Sequence, residues 1–149
     1  MLSDTDIVHH LESIQPLGFA KVPHEGTWTR PPYERRAVNG HVFAVLCVDP
    51  RVQELLVNLD TGRIYTHPLD GPELFLVNSS LANLVACSRA YQDAASAVAE
   101  AEHADNPDRA REAIAQTLER QLRSLDPPAT ENHDTSLWLV AAEELGYGI

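Results

Sequence analysis

The chain has 149 residues, 44% of them hydrophobic, enough for one domain that buries its own core without disulfide or metal staples. Its formal net charge of −11, from 22 acidic and 11 basic residues, argues against nucleic-acid binding, which needs clustered cations. No apolar run nears the ~18 residues of a bilayer span, and Met1-Leu2-Ser3-Asp4 lacks the basic and apolar stretches of a signal peptide, so the expected compartment is the cytoplasm.

Ser3 or Asp4 can cap a first helix with Ile7, Val8, Leu11 and Ile14 on one face, ending at Gln15-Pro16. Leu17-Gly18-Phe19 then turns the chain. Residues 23–41 hold Pro23, Gly26, Pro31, Pro32 and Gly40, which reads as loop with at most short strands. Trp28 and Tyr33 lie in this loop, where an aromatic either plugs the core or waits for a partner. His41–Val48 is apolar on both faces and reads as a central strand, ended by Asp49-Pro50. Leu55, Val57 and Leu59 alternate, the pattern of a strand with one buried face. Asp60-Thr61-Gly62 reverses the chain into Arg63–Thr66, a hairpin with a glycine-bearing loop. Pro68 cannot donate to a ladder and ends this strand or sets it at an edge. A turn at Asp70-Gly71-Pro72 leads to a short apolar strand, Leu74–Val77. Four strands joined mostly by short turns imply an antiparallel sheet.

From Ser80 onward the pattern is helical. Asn78-Ser79-Ser80 offers capping side chains to a helix with Leu81, Leu84, Val85, Ser88 and Tyr91 on its inner stripe, running as far as Asn106. Asn106-Pro107 restarts the chain as N-cap and first helical residue, and Ile114, Leu118, Leu122 and Leu125 line the next helix. Asp126-Pro127-Pro128 breaks it, and a last helix, SLWLVAAEEL, stops at Gly146. Residues 127–149 contain four acids and no lysine or arginine, one candidate for an acidic binding surface. Cys47 and Cys87 each fall in an apolar element and are expected to be free core thiols.

No pattern for catalysis, metal or cofactor binding emerges. His9 and His10 are helix neighbours whose side chains diverge by about 100°. The other five histidines are scattered without HxxxH, HExxH or Cys–His spacing, and GxGxxG, GxxxxGK and GxSxG are missing. Glu143 and Glu144 are sequence neighbours rather than a facing acid–base pair. An acidic surface instead suits a basic protein, whose docking it would accelerate.

Two motifs carry a resemblance. Leu59, Asp60, Gly62, Ile64 and Tyr65, followed by Val77-Asn78-Ser79-Ser80-Leu81, resemble the SUKH superfamily of bacterial toxin-immunity proteins, most closely its fourth group. Leu122-Arg123-Ser124-Leu125-Asp126-Pro127, then Trp138 and Glu143-Glu144, is similar to that family's closing segment. The resemblance covers residues 42–146 well; it departs at Ala82-Asn83, where relatives often carry an acid. It implies an α+β fold, a single SUKH-like domain over residues 1–149. A bent antiparallel sheet of about four to six strands would have helices packed on it, one helix at the N-terminus and the rest after the sheet. It also implies an immunity protein that binds and neutralises a cognate toxin, a nuclease or nucleic-acid deaminase, without catalysis, cofactor or metal.

The expected partner is therefore a basic protein toxin, with no direct contact to nucleic acid or membrane. Trp28 and Tyr33 are the candidate aromatic anchors, with Asp70 and Glu73 as the charged rim. Two other readings stay open: an interaction module of the same fold with a regulatory partner, and a small enzyme with an unrecognised site. A polymorphic-toxin gene beside this one would favour immunity, and a polar cleft of converged histidine and carboxylate groups would favour the enzyme.

Overall fold

The computed structural model describes residues 1–13 and 26–149. They form two compact units, Met1–Val85 and Ala86–Ile149. Ile14, the helix end at Gln15-Pro16, the turn at Leu17-Gly18-Phe19 and Pro23 lie outside the described residues.

The first unit opens with helix α1, Asp4–Leu11, and Ser3 is the cap. Ser3 Oγ accepts from the Asp6 N–H at 3.2 Å, while the Ser3 N–H donates to Asp6 Oδ2 at 2.8 Å, a reciprocal capping box. Ile7 and Leu11 are fully buried, and the Leu2 N–H reaches Leu59 O at 2.7 Å.

Six antiparallel strands follow: β1 (Thr27–Trp28), β2 (Arg35–Val38), β3 (His41–Asp49), β4 (Gln53–Asn58), β5 (Ile64–Pro68) and β6 (Phe75–Asn78). Their order is β1-β3-β4-β5-β6, with β2 also paired to β3. β3 is central as expected, buried from Phe43 to Cys47. Strands β1 and β2 are the short strands that the loop-like segment 23–41 allowed. Asn39 and Gly40 join β2 to β3 with φ of 52° and 81°, the two positive values of a type I′ hairpin turn. An Asn-Gly pair is the strongest short-range sign of that turn.

Strand β4 departs from its expected half-burial: Glu54 to Leu59 are all buried. The face bearing Leu56 has a small core of its own, made of Val38, Phe43, Val45 and Leu56 with Val48, Tyr65 and Leu74 against it. Alternation alone could not show a core on that side. Bulges at Val45/Cys47 and Ile64/Tyr65 bend the sheet.

Helix α2, Leu81–Ala101, starts where Ser80 Oγ accepts from the Asn83 N–H at 3.1 Å. It ends short of Asn106, and its buried set is Leu81, Leu84, Cys87, Ser88 and Ala94, with Val85 and Tyr91 only half-buried. Helix α3, Pro107–Leu125, begins as expected, with Asn106 Oδ1 accepting from the Arg109 N–H at 3.2 Å. Ala115, Leu118 and Leu122 are its buried residues, whereas Leu125 is exposed because the chain turns away at Asp126 into a 3-10 turn, Pro127–Thr130. Helix α4, Leu137–Tyr147, is capped by Ser136 and buries Trp138 completely. The terminating glycine is Gly148, at φ 77°, and not Gly146, which lies inside α4.

The fold is thus α+β, an antiparallel bent sheet preceded by one helix and followed by helices. No helix among the described residues is long and apolar enough to cross a membrane.

Candidate partner-binding surface

The register collects several loops at one end of the sheet. Thr27 pairs with Val48, Val48 with Glu54, and Glu54 with His67. The β3–β4 turn (50–52) and the start of the β5–β6 loop (69–74) therefore lie at the end where β1 also sits. The Leu69 N–H donates to Val52 O at 3.1 Å and locks turn and loop together. The loop then folds back across the sheet: Asn39 Nδ2 donates to Pro72 O at 3.2 Å, and Leu74 covers the small core under it.

Asp70 and Glu73 are exposed on this loop. Trp28 is half-buried on β1, at the same end of the sheet, and β5, from which the loop starts, lies three strand spacings from β1, about 14 Å along the sheet. Tyr33 is not with them. It is 4% exposed and counts among the buried core residues. Its N–H points to Asp4 Oδ2 at 3.4 Å, and burial pushes its phenol above the ordinary value, with Asp4 adding to the shift.

Two apolar residues at this end were missed from the sequence. Val52 is 54% and Leu69 47% exposed, beside each other and next to Asp70. Both stand in turns rather than strands, at Asp49-Pro50-Arg51-Val52 and Pro68-Leu69-Asp70, and a large aliphatic in a turn is the signal that could have marked them. Arg51, just before Val52 in the turn, has φ 72°, a left-handed conformation that costs a non-glycine residue about 1 kcal/mol.

Profile comparison then places the chain. The profile of the SUKH-4 immunity protein family matches residues 13–144. The chain belongs to that family. No curated protein and no solved structure matches it. As a SUKH-4 immunity protein it has a bacterial, toxin-neutralising role, and hence a toxin for a partner.

The SUKH-4 chain gathers charge around the buried Glu54 in its sheet. Arg36 grips Glu54 through Nε–Oε2 at 3.2 Å and Nη2–Oε1 at 2.8 Å, and its Nη1 reaches Glu34 Oε1 at 2.6 Å. Glu34 and Glu54 together push the guanidinium above its ordinary value, and Arg36 holds Glu34 below its own. His67 Nδ1 lies 4.0 Å from Glu54 Oε2, beyond hydrogen-bond length, and is buried without a partner. The two-pronged pair braces β2 against β4. No group of three or more His, Cys, Asp or Glu side chains among the described residues could hold a metal ion.

Proposed function

We propose that this SUKH-4 protein neutralises its toxin by binding alone, with no catalytic step, and that the toxin is a basic domain acting on nucleic acid, a nuclease or a deaminase. It acts in the cytoplasm as a single domain over residues 1–149. The observation that carries the reading is the pairing of exposed apolar and acidic groups at the end of the sheet. Val52 and Leu69 supply a desolvatable centre, Asp70 and Glu73 an acidic rim, and Trp28 a flanking aromatic anchor. With Tyr33 in the core, the aliphatic pair takes the anchoring role expected of it.

Rim charges act mainly on association rate. The test uses an inactivated toxin domain encoded beside this gene, with binding kinetics measured across salt concentrations. Association should slow as salt rises, and Asp70→Lys with Glu73→Lys should slow it about tenfold at low salt while the thermal melt stays unchanged. A charge-reversed protein that associates as fast as the parent removes the loop from the interface. A parent that does not bind the domain overturns the reading itself.

A further inference from the structure

The second unit carries a groove of about 590 Å³ between α3 and α4, lined by residues from 108 to 147. Its floor is small. A Cβ on Gly146 would come within 2.9 Å of the Ala115 Cβ, so the missing side chain lets the two helices touch, and Ala142 lies beside them. Its walls are acidic: Asp108, Glu112 and Glu119 stand on α3 and Glu143 on α4, against a single lining cation, Arg111. Tyr147, 70% exposed, closes one part of the rim.

The cations in and near the groove are already committed. Arg111 pairs with Asp108, and its guanidinium packs 3.3 Å from where a Gly148 side chain would begin. Arg123 pairs with Glu119 at 3.0 Å and His133 approaches Glu143 at 3.4 Å. The Arg123 and His133 contacts are solvent-exposed, and such pairs stabilise by only about 0–1 kcal/mol, so an incoming guanidinium can displace them. Glu112 is exposed and has no ion-pair partner among the described residues. Residues 86–149 hold twelve acids and five arginines, a net charge of −7, against −4 for residues 1–85 with ten acids and six basic residues. More than half of the chain's negative charge thus sits in the unit with the groove.

We infer that this groove receives a basic helix of the toxin, bearing arginine or lysine one and three turns apart. The inference rests on the toxin-binding reading, which supplies a protein partner, and adds a second surface and the chemistry of what enters it. Asp108, Glu112 and Glu119 follow one stripe of α3 over eleven residues, about 16 Å along its axis. A second helix lying along the groove presents cations at the same rise, as helix-in-groove recognition requires. The floor of Ala115, Ala142 and Gly146 leaves room for the aliphatic stems of long basic side chains, whose charged ends reach the walls. Tyr147 offers a ring face to an arginine.

The test has two arms on the full chain. In the first, an 18-residue alanine-based helical peptide with arginines at that spacing is titrated while backbone amide shifts are followed. Shifts concentrated in residues 108–119 and 142–147 support the inference; equal shifts at exposed acids of both units overturn it. In the second, the inactivated toxin domain from the neighbouring gene is bound to the parent and to Glu112→Lys with Glu119→Lys. At least tenfold weaker binding by the variant is expected. Glu112→Gln with Glu119→Gln serves in its place if the reversed variant does not fold. Parent-like binding by the folded variant overturns the groove and leaves the toxin-binding reading standing. No binding by the parent overturns both.

Discussion

Arg36 and Glu54 meet as a two-pronged ion pair between strands that are not neighbours. β2 pairs with β3 and β3 with β4, so the guanidinium reaches across β3, in line with Phe43 and Val45, to a carboxylate that is 5% exposed. Sheet curvature toward this face brings the two within reach, and the pair in turn holds β2 down over the small core of Phe43, Val45 and Leu56.

Arg36→Leu should therefore cost more than a surface ion pair. It leaves a buried carboxylate uncompensated, a loss of about 3–5 kcal/mol in a dry site, and the 35% exposure of Arg36 brings the expected value to the lower end, about 2–3 kcal/mol. Adding Glu54→Leu should recover most of it, because an apolar pair of similar volume removes the unpaired charge. Denaturant melts of the single and double variants check this. A double variant no more stable than Arg36→Leu alone would show that the pair's role is not electrostatic.

The two thiols should be silent in the native protein. Neither forms a disulfide and both are buried, and burial pushes the Cys47 thiol up to about 12 despite a backbone hydrogen bond from Gly26. At pH 8 the thiolate, the reactive form, is then on the order of one part in ten thousand for Cys47. A thiol-specific chromophoric reagent should count none in native protein and two after denaturation under non-reducing conditions. Rapid native labelling would contradict the burial.

The helix cap of α1 predicts an acid-side loss of stability. Asp6 is held below its ordinary value of 3.8 by hydrogen bonds from the Ser3 backbone N–H and then its hydroxyl. A carboxylate whose value is lowered on folding contributes fully above pH 3.8, and the contribution fades as pH falls through the lower folded value. Melts of the parent and Asp6→Asn should differ by a constant amount from pH 6 to about 4 and converge below that. A gap that persists unchanged down to pH 2 would mean that the charge of Asp6 is irrelevant to the cap.

Local signals in the chain were enough for much of the architecture. Ser3, Ser80, Asn106 and Ser136 cap the helices that follow them because a cap acts within three residues. The apolar run at His41–Val48 could only be a central strand, and Leu59-Asp60-Gly62 with Val77-Asn78-Ser79-Ser80 was sufficient to point to the family. The Asn39-Gly40 turn was equally legible but was overshadowed by the prolines around it.

What only the tertiary structure decided depends on approach between distant segments. Tyr33 and Trp28 share a loop and an aromatic character, yet one is buried and the other half-exposed, since burial is set by what lies opposite rather than by the residue. Gly146 reads as a helix stop until Ala115, thirty-one positions away in sequence, leaves no space for a side chain there. The same close approach sets the groove between α3 and α4 and the row of carboxylates along it. Caps and strand alternation are short-range effects written in neighbouring residues, whereas the sides of a groove are matched only when two helices meet.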